Sequence, residues 1–285
     1  MPGSLFVVAT PIGNLEDITV RALRILREVA VIAAEDTRRT ANLLTRHAIA
    51  TPTTSLHEHN ESVKAATIVA RLQRGDDVAL VSDAGTPTVS DPGGRLIRAA
   101  IDAGVRVEPI PGASAVLAAL AASGMPTDSF AFFGFPPIRS KARLMWFGRL
   151  REVAGTVVFF ESPHRILETL SELKEKVGDC DVSVGRELTK VHEQLVRGPI
   201  SSVLNRLTEI KGEFTVVAYI GLMTELTDFK TAAPVLVATE FGEMTKQRGL
   251  TKRQAISALA RKHGLAANAI YAAIEEAKNS SNDQK

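Results

Sequence analysis

The stretch ALVSDAGTPTVSDPGG, Ala79 to Gly94, decides the reading of the fold. It begins inside an apolar run, Asp77–Ser82 (DVALVS), that stops at Ser82-Asp83. A loop punctuated by Gly85, Pro87, Pro92 and Gly93 follows, and then a helical pattern, GGRLIRAAIDAG. A short, continuously apolar run is what a strand buried on both faces requires, and strand, loop, helix is half of a parallel crossover unit. Similar runs occur on either side: LFVVAT (Leu5–Thr10), VIAAED (Val31–Asp36), VRVEPI (Val105–Ile110) and FAFFGF (Phe130–Phe135). Helical patterns such as VRALRILREV lie between them. This alternation predicts an α/β fold with a mostly parallel sheet covered on both faces.

Pro136-Pro137 then breaks the alternation. The segment after it, IRSKARLMWFGRLR, is basic. A second α/β unit follows, with strands expected at Thr156–Ser162, Asp181–Leu188, Lys190–Gly198 and Glu213–Gly221, and helices at PHRILETLSELKEKVG and ISSVLNRLTEIKG. TELTDFKTAAP has the composition of a linker. Beyond it VLVATEFGEMTKQRG, TKRQAISALARKHG and AANAIYAAIEEAK are helical, with Thr251 as an N-cap, Gly249 and Gly264 as stops, and a helix-turn-helix-like connection through HGLAAN. The expected organisation is an N-terminal α/β domain over 1–135, a basic linker or helix over 136–153, a second α/β domain over 154–224 and a small helical domain over 235–278.

The composition narrows the classes. With 285 residues, 45% hydrophobic and 23% charged, the chain has the make-up of a soluble globular protein of one large or two medium domains. A net charge of +2 does not by itself announce a nucleic-acid partner. The single cysteine, Cys180, excludes an internal disulfide framework and a cysteine zinc site, and reads as a small buried or semi-buried residue in a reducing cytosol. No apolar run approaches a membrane span, and MPGSLFVVATPIG lacks the basic start of a signal peptide, so a cytoplasmic location is expected. His47, His57, His59, His164, His192 and His263 show no ligand spacing, and no metal is expected.

Four loops follow apolar strands and carry unusual residues: TPIGN (Thr10–Asn14), SDAGTP (Ser82–Pro87), PGASA (Pro111–Ala115) and ESPHR (Glu161–Arg165). In open α/β sheets ligands gather outside the carboxyl ends of the strands. None of the four is a phosphate cradle, which would be glycine-rich and usually hold a lysine. The loops offer Asp83, small residues and backbone carbonyls. That suits a ligand with ribose hydroxyls, a flat base and a positive centre, such as S-adenosylmethionine. Asp83 serves equally well as a turn residue. In ESPHR, Ser162 reads as a helix N-cap with Pro163 in the first turn, which leaves His164 and Arg165 beside the strand end. GRELTKVHE packs Arg186, Glu187, Lys190, His192 and Glu193 together, either as a salt-bridged strand edge or as part of a cleft.

Positive charge is concentrated locally. Arg139, Lys141, Arg143, Arg149 and Arg151 stand in one segment, interleaved with Trp146 and Phe147, which either stack on a base or, the stronger reading, belong to the core. Lys246, Arg248, Lys252, Arg253, Arg261 and Lys262 lie between Glu243 and Glu275 with no acid among them. Either segment is a solvated helix face or a footprint for a nucleic-acid backbone. AEDTRRTANLL adds Arg38 and Arg39 at a helix start.

In order along the chain, VVATPIGNLEDIT, AEDTRRT, VSDAGTPTVSDPG, PIPGASA, FFESPHR and RELTKVHEQ closely resemble the ribosomal small-subunit methyltransferase I family, within the tetrapyrrole methylase superfamily. The resemblance covers essentially the whole chain. It implies a two-domain, class III methyltransferase fold with a small helical C-terminal extension, S-adenosyl-L-methionine as cofactor, and a homodimer. The implied reaction is 2′-O-methylation of a cytidine in the decoding region of 16S ribosomal RNA, within the small ribosomal subunit. Cofactor binding is carried by the resemblance onto Pro11, Ile12, Gly13, Ser82, Asp83, Ala84, Gly85, Ala113, Ser114 and Ala115, and further onto Phe160, Glu161 and Glu187. For the chemistry the candidates are Glu187, Lys190 and His164, acting on the hydroxyl proton or on developing negative charge, with pure positioning as the alternative. Arg38, Arg39, Arg139, Lys141, Arg143, Arg165, Lys252, Arg253, Arg261 and Lys262 are the candidate RNA contacts. Competing readings are a methyltransferase of the same superfamily acting on a small molecule or protein, a non-catalytic RNA-binding factor, and a nucleotide-hydrolysing α/β protein.

Overall fold

The computed structural model describes residues 1–221, 234–246, 250–263, 270–271, 274–275 and 277. The chain divides into two compact units, Met1–Ile220 and Gly221–Lys285.

The first unit contains two sheets. The first sheet is built from β1 (Ser4–Val8), β2 (Val31–Ala34), β3 (Thr53–Ser55), β4 (Val78–Val81) and β5 (Arg106–Ile110), in the order β3-β2-β4-β1-β5, all parallel. The residues of β4 are all buried, and alternate side chains enter opposite cores. Val78 and Leu80 join Leu5, Leu56, Leu72 and Leu96 on one face. Ala79 and Val81 join Leu26, Ile32, Leu43 and Ile110 on the other. The faces are covered by α1 (Val20–Glu28), α2 (Thr37–Arg46), α3 (Glu61–Gln73) and α4 (Gly94–Asp102). The strand β3 is polar and carries no apolar run in the sequence; it is placed by its pairing with β2. The helix α3 buries Ala65, Ile68 and Leu72 and packs on α4.

The second sheet holds β6 (Phe130–Phe132), β7 (Gly155–Glu161), β8 (Asp181–Arg186), β9 (Gln194–Pro199) and β10 (Phe214–Ile220), in the order β6-β7-β10-β8-β9. Only β6 and β7 run parallel; the other pairs are antiparallel. Between the sheets in sequence lies α5 (Ala115–Ser123), AVLAALAAS, apolar nearly all round. Its Val116, Ala119 and Leu120 pack on Val158 and Val217 of the second sheet. The opposite face of that sheet is covered by α6 (Ser140–Arg151), α7 (Ile166–Val177) and α8 (Ile200–Arg206), with Trp146, Phe147, Phe159 and Phe214 in one core. Cys180 packs half-buried at its edge, and burial pushes its thiol up to about 11.

Three local expectations are corrected. Phe130–Phe132 joins β7 in the second sheet rather than the first, because three residues of apolar sequence do not say which sheet edge they pair with. The strand expected from Lys190 begins only at Gln194: Glu187 and Thr189 take positive φ of 50° and 65°, which ends the extended run in a tight turn. The helix expected to be capped by Ser162 starts at Ile166, after a turn over 163–165.

In the second unit, α9 (Pro234–Lys246) and α10 (Lys252–His263) are followed by helical residues from Ile270. Thr251 and Gln254 cap α10 reciprocally. The Gln254 N–H donates to Thr251 Oγ1 at 3.4 Å, and the Thr251 N–H donates to Gln254 Oε1 at 3.0 Å. Val237, Leu259, Ile270 and Ile274 form its core. Gly249, Gly264, most of the expected linker and the HGLAAN connection after His263 lie outside the described residues. Among the described residues no helix is long and apolar enough to cross a membrane.

Candidate functional site

The loops after β1, β4, β5 and β7 meet at the carboxyl ends of their strands and, with β10, enclose a cavity of about 390 Å³. The loops are locked to each other before any ligand arrives. Thr10 and Gly85 exchange backbone hydrogen bonds in both directions, at 2.8 and 3.0 Å. Thr10 Oγ1 donates to the Ser82 carbonyl at 3.2 Å. Gly85 has φ of +76°, and a Cβ there would sit 3.3 Å from Ile12 Cγ2, so the position demands glycine twice over. The far end of the loop is held by Glu61. This buried carboxylate accepts the N–H groups of Gly93, Arg95 and Leu96 at 3.1, 2.7 and 3.2 Å, capping α4 from another helix.

The polar wall is acidic. Glu35, Asp83, Asp91 and Glu213 line the cavity, opposed by Arg39, which pairs with Asp83 at 3.4 Å. Asp83 also accepts the Asp36 N–H at 2.9 Å and donates its own N–H to Glu35 at 3.3 Å. Burial, helped by the like charges of Asp83 and Asp36, raises the Glu35 carboxyl against the backbone bond and Arg39. Burial also pushes Asp91 up to about 6; the charges of Glu35, Asp83 and Glu213 add to this and a hydrogen bond from Ser82 opposes it. Ile12, Val116, Phe135, Phe160, Leu188 and Phe214 supply an apolar lining. Among the described residues no lysine lines the cavity. The arrangement favours a ligand with flat apolar surface, hydroxyls and positive charge, and disfavours phosphate.

Most expected binding residues converge here. Ile12, Asp83, Ala84, Gly85, Ser114, Ala115, Phe160 and Glu161 line the cavity. Ser82 stands behind it as a buried support, and the Ala113 carbonyl accepts Thr86 Oγ1 at 3.3 Å. Pro11 is buried, and Gly13 faces away: a Cβ there would meet Lys190 Cγ at 2.5 Å. Glu161 is fully engaged. Its oxygens accept the Ser162 N–H at 2.6 Å, Arg165 at 2.8 Å and the Thr169 hydroxyl at 2.6 Å. Its charge anchors the wall.

Glu187, Lys190 and His164 are not on the lining. Lys190 Nζ bridges Glu187 at 2.8 Å and the lining residue Glu213 at 3.0 Å. Burial would lower the Lys190 ammonium, but these two carboxylates outweigh it and hold it protonated. Burial would raise Glu187, but Lys190, the Glu213 N–H and Arg186 hold it below its ordinary range. His164 is exposed in the turn after β7.

Of the candidate RNA contacts, Arg39 is on the lining, and Arg139 and Lys141 are exposed at the start of α6. Arg38 is exposed and pairs with Asp36, whose carboxyl it holds down at about 2. One is corrected. Arg143 is buried: it donates to Glu172 at 2.6 Å and Thr169 at 2.7 Å, because α6 turns that residue toward α7. Arg165 is partly buried and donates to Glu161, Ser162 and the Pro136 carbonyl. Lys252 and Arg253 are exposed on α10; the side chains of Arg261 and Lys262 lie outside the described residues. Glu35, Asp91 and Glu213 are site residues that motif reading alone does not single out. Glu35 and Asp91 sit inside quoted motifs, whereas Glu213 and Thr215 reach the cavity only through the pairing of β10 with β7.

Comparison with known proteins identifies the family. The model of the tetrapyrrole (corrin/porphyrin) methylases matches residues 4–204. A ribosomal RNA small subunit methyltransferase I of Pasteurella multocida is 42% identical over 276 residues, 95% of this chain and 96% of that one. The protein of the same name from Bacillus subtilis is 43% identical over 256 residues, 89% of this chain and 88% of that one. Among solved structures, uroporphyrin-III C-methyltransferase of Thermus thermophilus, complexed with S-adenosyl homocysteine, superposes with a TM-score of 0.55 at 18% identity, over 79% of this chain and 100% of that one. The chain therefore belongs to the tetrapyrrole methylase family and, within it, to the ribosomal RNA small subunit methyltransferase I group.

Proposed function

We propose that this protein uses S-adenosylmethionine to methylate the ribose 2′-hydroxyl of a cytidine in the decoding region of small-subunit ribosomal RNA. The observation that carries the reading is the acidic, lysine-free cavity built by the motif loops in a chain of this family. The names of the relatives support ribosomal RNA as the substrate, and the donor set supports a cationic nucleoside cofactor. Asp83, Ala84, Gly85, Ser114, Ala115 and Phe160 would hold that cofactor, which supplies an activated methyl group on a positive sulfur.

The protein's own part is mainly alignment. The loops are interlocked by Thr10 and Gly85, so a bound nucleoside meets a preformed wall. Alignment of this kind accounts for up to roughly 7–11 kcal/mol of barrier lowering. The carboxylates of Glu35, Asp83 and Asp91 attract positive charge into the cavity. Lys190 Nζ, held protonated, takes no proton from the hydroxyl; its charge holds Glu213 at the rim and favours negative charge developing nearby. Arg39, Arg139 and Lys141 offer cations to an RNA backbone, as do Lys252 and Arg253 on the second unit. The family resemblance carries with it a homodimer acting in the cytoplasm.

The test incubates the protein and methyl-labelled S-adenosylmethionine with small ribosomal subunits, free ribosomal RNA and a protein extract. Label recovered from ribosomal RNA as an alkali-resistant dinucleotide is the expected result. Label confined to protein or small molecules overturns the RNA reading.

A further inference from the structure

We propose that Phe135 is a positioning residue: the aromatic platform on which the base of the target nucleotide stacks while its ribose enters the cavity. The inference rests on the RNA reading above and concerns how that substrate is held.

Phe135 lines the cavity and is 51% exposed. Large apolar residues are more often buried. Gly134 before it has φ of +61°, and its carbonyl accepts the Phe160 N–H at 2.9 Å. On the other side, the Pro136 carbonyl is held by Arg165 at 3.0 Å and the Pro137 carbonyl by Arg143 at 3.4 Å. Both arginines are fixed by carboxylates, Arg165 by Glu161 and Arg143 by Glu172. Together they tie this segment down. The ring is buttressed on one side by Phe160, 5.4 Å away and tilted 55°, and Phe160 in turn packs edge-on against Phe132 at 5.0 Å.

A rigid, half-open ring at the mouth of a cavity, followed by exposed cations at Arg139 and Lys141, has the chemistry of a single-stranded nucleotide site. Methyl transfer inside a concave site requires the nucleotide to leave its neighbours. An unstacked base loses their stacking, and an aromatic face at the mouth replaces it. A sequence-tolerant platform also suits a site in which the reacting atom is on the ribose.

The experiment compares the full-length protein with Phe135→Ala, Phe135→Leu and Phe135→Trp. The readouts are KM and kcat for tritium transfer to small ribosomal subunits, and S-adenosylmethionine affinity by calorimetry. Stacking worth roughly 1–3 kcal/mol predicts that Phe135→Ala lowers kcat/KM for the RNA substrate about 5- to 150-fold. Cofactor affinity falls far less than kcat/KM does, Phe135→Trp restores activity, and Phe135→Leu, which keeps apolar bulk without a π face, does not. Rescue by leucine, a parallel loss of cofactor affinity, or no effect of alanine each overturns the proposal. Wild-type protein that labels no ribosomal RNA at all removes the underlying reading and this inference with it, an outcome separate from the other three.

Discussion

Asp91 and Glu161 show how two carboxylates in one cavity acquire different duties. Asp91 lies above its ordinary 3.8, at about 6, chiefly because burial disfavours its charge. A carboxyl raised on folding destabilises the native state as pH rises from about 3.8 through about 6. Asp91→Asn should therefore raise Tm near neutral pH and leave it unchanged near about pH 4, which thermal scans at both values will show. A cationic ligand prefers the ionised carboxylate. Cofactor affinity in the wild type should fall as pH drops through about 6, and in Asp91→Asn it should be weaker at neutral pH and flat, as calorimetry across that range would read. Glu161 is held differently: buried and saturated with donors. Removing its charge leaves Arg165 without its partner and cuts the tie to the Pro136 carbonyl. Glu161→Gln should cost about 3–5 kcal/mol in denaturant unfolding. Both residues stand in motifs legible in the sequence, but their division of labour is not. Which carboxylate is saturated depends on Thr169 and Arg165 arriving from α7 and the turn before it.

In the first sheet β1, β2, β4 and β5 are readable because each is a short apolar run; β3, Thr53–Ser55, is polar and is not. Nor is the cap on α4. Its Glu61 lies far before the helix it stabilises and opens a helix, α3, of its own. Glu61→Ala should leave three backbone donors without this acceptor and lower stability by about 1–3 kcal/mol in urea titration. Because those donors end the Ser82–Gly94 loop, cofactor affinity should weaken in the same variant. β6 and the turn after β8 escape sequence reading for a related reason. Three apolar residues fit either sheet edge, and the positive φ of Glu187 and Thr189 falls on residues that are not glycine, in a turn held by hydrogen bonds from the Thr189 N–H to Glu193 and from the Asn14 N–H to the Thr189 hydroxyl.

The two units permit a clean separation of roles. The described residues lining the cavity all lie between Ile12 and Thr215, inside the first unit. Deleting residues 221–285 should leave cofactor affinity intact by calorimetry. It should also raise KM for ribosomal subunits and flatten the salt dependence of binding, since each single-strand phosphate no longer neutralised by the protein takes about 0.7 from the logarithmic slope. Loss of cofactor affinity would instead make the helical unit part of the catalytic body. Sequence by itself determined the α/β class, the loops that build the site, the lysine-free chemistry of SDAGTP and the family resemblance, because these depend on local pattern and on residue types at short spacing. Tertiary structure alone decided which carboxylates keep their charge, which arginines face water, and that Glu213, Phe135 and Asp91 share one cavity. Burial and pairing between β10, β7 and the loop after β4 join residues far apart along the chain, and no local pattern encodes such distances.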